Sequence, residues 1–265
     1  MMDQPGPRPL RVAPSPRPGE HPPVRRSRRG VALLPSLFTL GNLFCGYACV
    51  IYAMRGEFET AAPFIGIAVV LDMLDGRIAR LTGTASEFGV QFDSMADIIS
   101  FGMAPAVLTF AWGLSTLGRL GWAAAFLFVT AAALRLARFN IQAASADKRY
   151  FVGMPSPAAA GILASTVYAY PEGLVQFRSS LPAILLVVGP ALLMVSTVRF
   201  RSFKTIDLQA RRPFRVLIFF AALLTVIATH PQSVLVVISY GYLVSPLIET
   251  IVMRLRRKPA APPAG

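Results

Sequence analysis

Histidine and cysteine are almost missing from this chain, with two of each in 265 residues. Cys45 and Cys49 lie four apart in an apolar stretch, so they read as small packing residues; a two-thiol metal site would need further ligands nearby. His21 and His230 stand alone in sequence and receive no role. Charge is scarce too. Only 15% of residues are charged against 54% hydrophobic, too little polarity for an ordinary soluble domain. What fills the space instead is a series of apolar runs long enough to cross about 30 Å of hydrocarbon as helices. About eight spans are expected, near residues 31–54, 60–80, 92–114, 119–141, 155–177, 181–199, 214–230 and 232–252. The fold class is all-α polytopic membrane protein, and the lipid bilayer is its first partner.

Acidic residues are half as common as basic ones, 13 against 26, for a net charge of +13. In a soluble protein that excess would suggest nucleic acid. Here its distribution gives another answer. With the N-terminus in the cytosol, the basic residues before Gly30, Arg77 and Arg80, and the groups at 135–149, 199–215 and 254–258 fall on one side. They make up 23 of the 26 Lys and Arg, leaving Arg55, Arg119 and Arg178 outside. This is the positive-inside pattern, so both termini are expected in the cytosol and nucleic acid is not expected as a partner. Residues 1–29, with eight prolines and seven arginines, cannot bury a core and read as a disordered arm. They also lack the short apolar core of a signal peptide. The catalytic or transport unit is therefore residues 30–253, followed by a basic, then Pro/Ala-rich tail over 254–265.

Against this background the aspartates stand out. Asp72, Asp75, Asp93 and Asp97 fall within 26 residues of a membrane-embedded region, together with Arg77 and Arg80. A carboxylate near the bilayer centre costs roughly 2.5–3.5 kcal/mol on insertion scales, so four unpaired ones would cost about 10 kcal/mol or more. Helical spacing puts Asp72, Asp75, Gly76, Ala79 and Arg80 on one face, and Gly89, Asp93 and Asp97 on another, with Ser86 just before. Two such helices facing each other converge four acids on one point, and Gly76, Ala79 and Gly89 leave room beside them. The acids cannot all ionise without cations between them. Hard oxygen ligands favour Mg²⁺ or Mn²⁺, and two divalent ions could clamp a diphosphate. Two other readings remain at this point: ion pairs that only hold helices together, and a cation-coupled transporter whose acids bind its ion.

The segment resembles the signature of the CDP-alcohol phosphotransferase family, D-x2-D-G-x2-A-R-x8-G-x3-D-x3-D, at every fixed position: Asp72, Asp75, Gly76, Ala79, Arg80, Gly89, Asp93 and Asp97. The flanks at 34–46, 86–89, 100–105, 135–140 and 153–157 are similar to those of its membrane-bound phosphatidylserine synthases, with Ser36 where members often have Asn. The resemblance implies a membrane enzyme with a six-helix core plus two helices, its active site at the cytosolic face of the cell membrane. It implies transfer of a phosphatidyl group from CDP-diacylglycerol to L-serine with release of CMP. Glycerol 3-phosphate or inositol phosphate are the alternative acceptors. By resemblance, Asp72, Asp75, Asp93 and Asp97 hold two Mg²⁺ or Mn²⁺ ions, and Asp97 is the general base. Gly76, Ala79, Arg80, Ser86 and Gly89, with Ser36 and Thr39, would surround the CDP-lipid. For the serine carboxylate an arginine fork is expected, and Arg135 and Arg138 are the candidates. Family members often form homodimers, so a homodimer is one assembly the resemblance allows.

Overall fold

A computed structural model describes residues 33–82, 86–144, 153–196, 225–226 and 228–256. Among them the chain is entirely helical: α1 (Leu33–Met54), α2 (Phe58–Thr82), α3 (Glu87–Asp97), a π-helical turn (Ile98–Met103), α4 (Ala104–Trp112), a short 3₁₀ turn (Leu114–Leu117), α5 (Arg119–Ala144), α6 (Ser156–Ala169), α7 (Phe177–Val195) and α8 (Pro231–Arg256). Three runs are long and apolar enough to cross a membrane: Ser36–Met54, Glu87–Trp112 and Arg119–Ile141. Shorter apolar helices occupy Ser180–Val195 and Pro231–Ser245. The expected span at 214–230, the loop at 201–212 and the N-terminal arm lie wholly or mostly outside the described residues.

α1 shows how sequence period becomes orientation. Leu37, Leu40, Phe44 and Tyr47 recur every three or four residues and are exposed. Such a stripe of large apolar side chains suits lipid rather than water. The opposite face carries Thr39, Asn42, Cys45, Cys49 and Ala53, all buried. Both cysteines are free thiols in this seam, as the packing reading expects. Against them lie Ala61, Ala62, Ile65 and Ala68 of α2. Small residues on both sides let the two backbones approach closely, which is how helices associate without a hydrophobic driving force. On the same helix Gly46 lets the π turn come close, since an added Cβ would sit 2.8 Å from the Ser100 Cα.

Several boundaries differ from those the hydropathy suggests; the helix expected at 181–199, for one, runs Phe177–Val195, and two others have clear local causes. The third span starts at Glu87, five residues early, because the Ser86 hydroxyl accepts a hydrogen bond from the Gly89 N–H (3.0 Å) and caps the helix. The fifth closes at Ala169 instead of running to 177. Pro171 offers no N–H to continue it, and the chain then turns through Gly173 at φ +74°. That turn folds over the end of α4, with Trp112 Nε1–H donating to the Tyr170 carbonyl (2.7 Å).

The π turn has a local cause. Pro105 lacks an N–H and its ring crowds the carbonyl four residues back, so the ladder widens. The Ala104 N–H accordingly donates to the Ile99 carbonyl, five residues back.

Candidate active site

α2 and α3 bring their acids together as the spacing requires. Carboxylate oxygens of Asp72, Asp75 and Asp93 lie within 4.8 Å of one another. Asp75 is buried, and the Thr39 hydroxyl of α1 donates to its Oδ2 (2.8 Å). Asp97 stands one helical turn beyond Asp93, outside that group of three yet in electrostatic contact with all its members. Asn42 Nδ2 donates to Asp97 Oδ1 at 3.3 Å. The Asn42 backbone is held in turn, its carbonyl accepting from the Ser100 hydroxyl (2.9 Å) inside the π turn.

Asp93 Oδ1 is buried with no hydrogen-bond partner. A buried carboxylate oxygen left in that state is costly, and beside two further carboxylates it calls for a cation. Oxygen donors alone fit a hard divalent ion, so the triad is a competent metal site.

A second cluster borders the first. Arg135 of α5 donates from Nη1 to the Ser156 hydroxyl (2.6 Å) at the start of α6. It also interacts electrostatically with Asp97, Tyr242 and Asp72. Further along α5, Asn140 Nδ2 donates to the Ser94 hydroxyl (3.1 Å), tying α5 to the helix that carries Asp93 and Asp97. Of the two expected arginines, Arg135 interacts electrostatically with the acids while its hydrogen bond goes to Ser156; Arg138, one turn on, is half-buried. Ser86 caps α3, and Thr39 supports Asp75. Gly76, Ala79 and Gly89 are half-buried along the acid-bearing helices, as is Ser36 on α1. The side chain of Arg80 lies outside the described residues.

Beside Asp72 opens a cavity of about 1190 Å³ between α2, α6 and α8. Its walls are almost wholly apolar, including Ile67, Val70, Leu235 and Ile238. One glycine from each helix, Gly66, Gly161 and Gly241, faces it with nothing within 4 Å of where a Cβ would be. Helix interiors disfavour glycine by about 1 kcal/mol relative to alanine, so three open ones on one cavity keep space clear at a cost in stability.

Sequence reasoning gave no site role to Asn42, Asn140 or Tyr242. A signal for the first was present: Thr39, Asn42 and Gly46 share one helical face, and an amide on the buried face of an apolar span needs a partner.

Residues 32–199 match the family of CDP-alcohol phosphatidyltransferases. The chain belongs to that family. Among its relatives within it is the CDP-diacylglycerol–serine O-phosphatidyltransferase of Helicobacter pylori, 37% identical over 84% of this chain and 93% of its own. Proteins of the same name from Mycobacterium leprae (32% identical, over 82% of this chain and 75% of its own) and Bacillus subtilis (32%, over 64% and 91%) are similar as well. Family membership makes the acid cluster part of a membrane phosphotransferase, and the residues that carry the family signature are those gathered on α2 and α3.

Proposed function

We propose that this protein transfers the phosphatidyl group of CDP-diacylglycerol to the hydroxyl of L-serine, yielding phosphatidylserine and CMP. The observation that carries this reading is the acid cluster with a half-buried arginine beside it, in a chain whose relatives are named for serine as acceptor. Asp72, Asp75 and Asp93, with Asp97 alongside, would hold two divalent cations, Mg²⁺ or Mn²⁺. Bound there, the ions would neutralise the acids and stabilise negative charge on the departing CMP. Asp97 takes the proton of the serine hydroxyl as that oxygen attacks the lipid-linked phosphorus. The new O–P bond forms while the bond to CMP breaks, and CMP leaves with the electron pair. Gly76, Ala79, Arg80, Ser86, Gly89, Ser36 and Thr39 surround the CDP moiety. Arg135, with Arg138 nearby, receives the carboxylate of serine.

The apolar cavity ending at Asp72 has the chemistry of a slot for an acyl chain of the donor. Replacing Gly161 with leucine puts a branched side chain into its path. CDP-diacylglycerol KM should rise roughly tenfold, the scale set by one or two misplaced methylenes. The serine KM should hold, and the melting temperature should not fall, since leucine is the better helix former. Kinetics with each substrate varied separately would check this.

The apolar runs support eight spans, the charge asymmetry supports cytosolic termini, and the family resemblance supports an active site open to the cytosol. The deciding experiment is CMP release by purified protein with CDP-diacylglycerol, Mg²⁺ or Mn²⁺, and serine, glycerol 3-phosphate or inositol phosphate offered singly. Metal-dependent release with serine alone is expected. Release with another acceptor only would overturn the choice of serine.

A further inference from the structure

α8 lies beyond the residues matched to the family, yet it reaches the site. Its two tyrosines do different things. Tyr240 and Tyr242 are two residues apart, which on a helix turns them about 200° from each other. The Tyr240 hydroxyl meets Thr166 Oγ1 of α6 at 3.0 Å and fastens the helix in place. Tyr242 points the other way, half-buried in the cavity wall with Asp72, Pro155 and Pro157. Pro155 and Pro157 flank Ser156, which accepts the hydrogen bond of Arg135, and the phenol and the guanidinium are close enough to interact electrostatically. One end of an otherwise apolar cavity therefore carries a phenol from α8 and a carboxylate from α2, next to the bonded guanidinium of α5 and hydroxyl of α6.

The chemistry of that meeting point selects a ligand. A guanidinium offers five N–H donors in a plane, and Ser156 accepts one of them. A phenolic O–H beside it adds a neutral donor without adding charge. Together they suit a small anion with several lone pairs, and a carboxylate has about four such positions. An acceptor with its hydroxyl at Asp97 and a carboxylate at Arg135 bridges two groups near enough to feel each other's charge, so only a short molecule fits between them. A hydroxy amino acid has that length. We propose that Tyr242 is an acceptor-specificity residue, its hydroxyl acting with Arg135 to hold the carboxylate of the amino-acid acceptor. The assignment rests on serine being the acceptor, and it adds to the site a residue from outside the family-matched segment.

The test uses the full-length protein in detergent with CDP-diacylglycerol and Mn²⁺, reading CMP release while each substrate is varied at saturating levels of the other. Tyr242→Phe removes one oxygen and keeps the ring in the wall. The serine KM should rise about tenfold or more, as for loss of one hydrogen bond to a charged group, with CDP-diacylglycerol KM unchanged. Tyr240→Phe is the matched control, expected to lower the melting temperature through loss of the Thr166 bond while leaving the serine KM alone. An unchanged serine KM in Tyr242→Phe, or an equal rise in both KM values, would reduce Tyr242 to a wall residue and overturn the proposal. A parent enzyme that releases CMP with glycerol 3-phosphate and not with serine overturns the acceptor reading itself, and this assignment with it.

Discussion

Asp97→Asn should lower kcat by about 10²–10⁴-fold, the contribution a positioned general base makes, while leaving CDP-diacylglycerol KM near its original value. The geometry is what makes the substitution clean. Asn42 Nδ2 donates to Asp97 Oδ1, and an amide oxygen in that place still accepts this bond. Asp97 also lies outside the group of three carboxylates within 4.8 Å, so the principal metal ligands remain. What disappears is the capacity to take a proton. Steady-state CMP release, measured beside Mn²⁺ titration by thermal shift, separates the two roles. A fall in kcat of less than tenfold would remove Asp97 from the proton transfer. Loss of the Mn²⁺ response would instead make it an essential metal ligand.

The second large effect is expected at Asp93, and its signature is a divergence between stability and activity. Asp93 carries the buried oxygen without a partner and sits against two more carboxylates. Without metal these groups repel one another in surroundings of low dielectric constant. Asp93→Asn removes one of the charges, so the metal-free variant should melt higher than the metal-free parent. In the presence of metal the order should reverse. A ligand that binds only the folded state at 100 times its Kd stabilises by about 2.7 kcal/mol, and the variant forfeits most of that. CMP release should drop below detection. Melting curves with EDTA and with saturating Mn²⁺ would show the crossover; parallel curves for the two proteins would sink the metal assignment at Asp93.

Much of this site was legible because its determinants are local. Asp72 and Asp75, or Asp93 and Asp97, are three or four residues apart, and helical period alone aligns each pair. That α2 and α3 face each other followed from the cost of leaving four acids unpaired. The packing role of the two cysteines was legible for the same reason, from one face of one helix. The contacts that escaped notice link distant segments: Asn42 with Asp97, Arg135 with Ser156, Thr166 with Tyr240. A single helix's period says which residues share a face but not which face a remote helix presents to it. Boundaries were misjudged where a cap or a proline overrode hydropathy, as at Ser86 and Pro171.

The widened turn after Asp97 leaves one more mark on the molecule. An α-helix advances 100° per residue, so a stretch holding one residue more than its turn requires works as a phase shifter. Upstream of it, Asp93 and Asp97 are set to the angle of the acids on α2. Downstream, Leu108 and Trp112 are set to the angle of the buried core. Neither angle dictates the other while the offset between them is kept. Shortening the chain by one residue anywhere from Ile98 to Met103 would couple the two again, and the helix could then satisfy its catalytic heading or its packing heading, but not both.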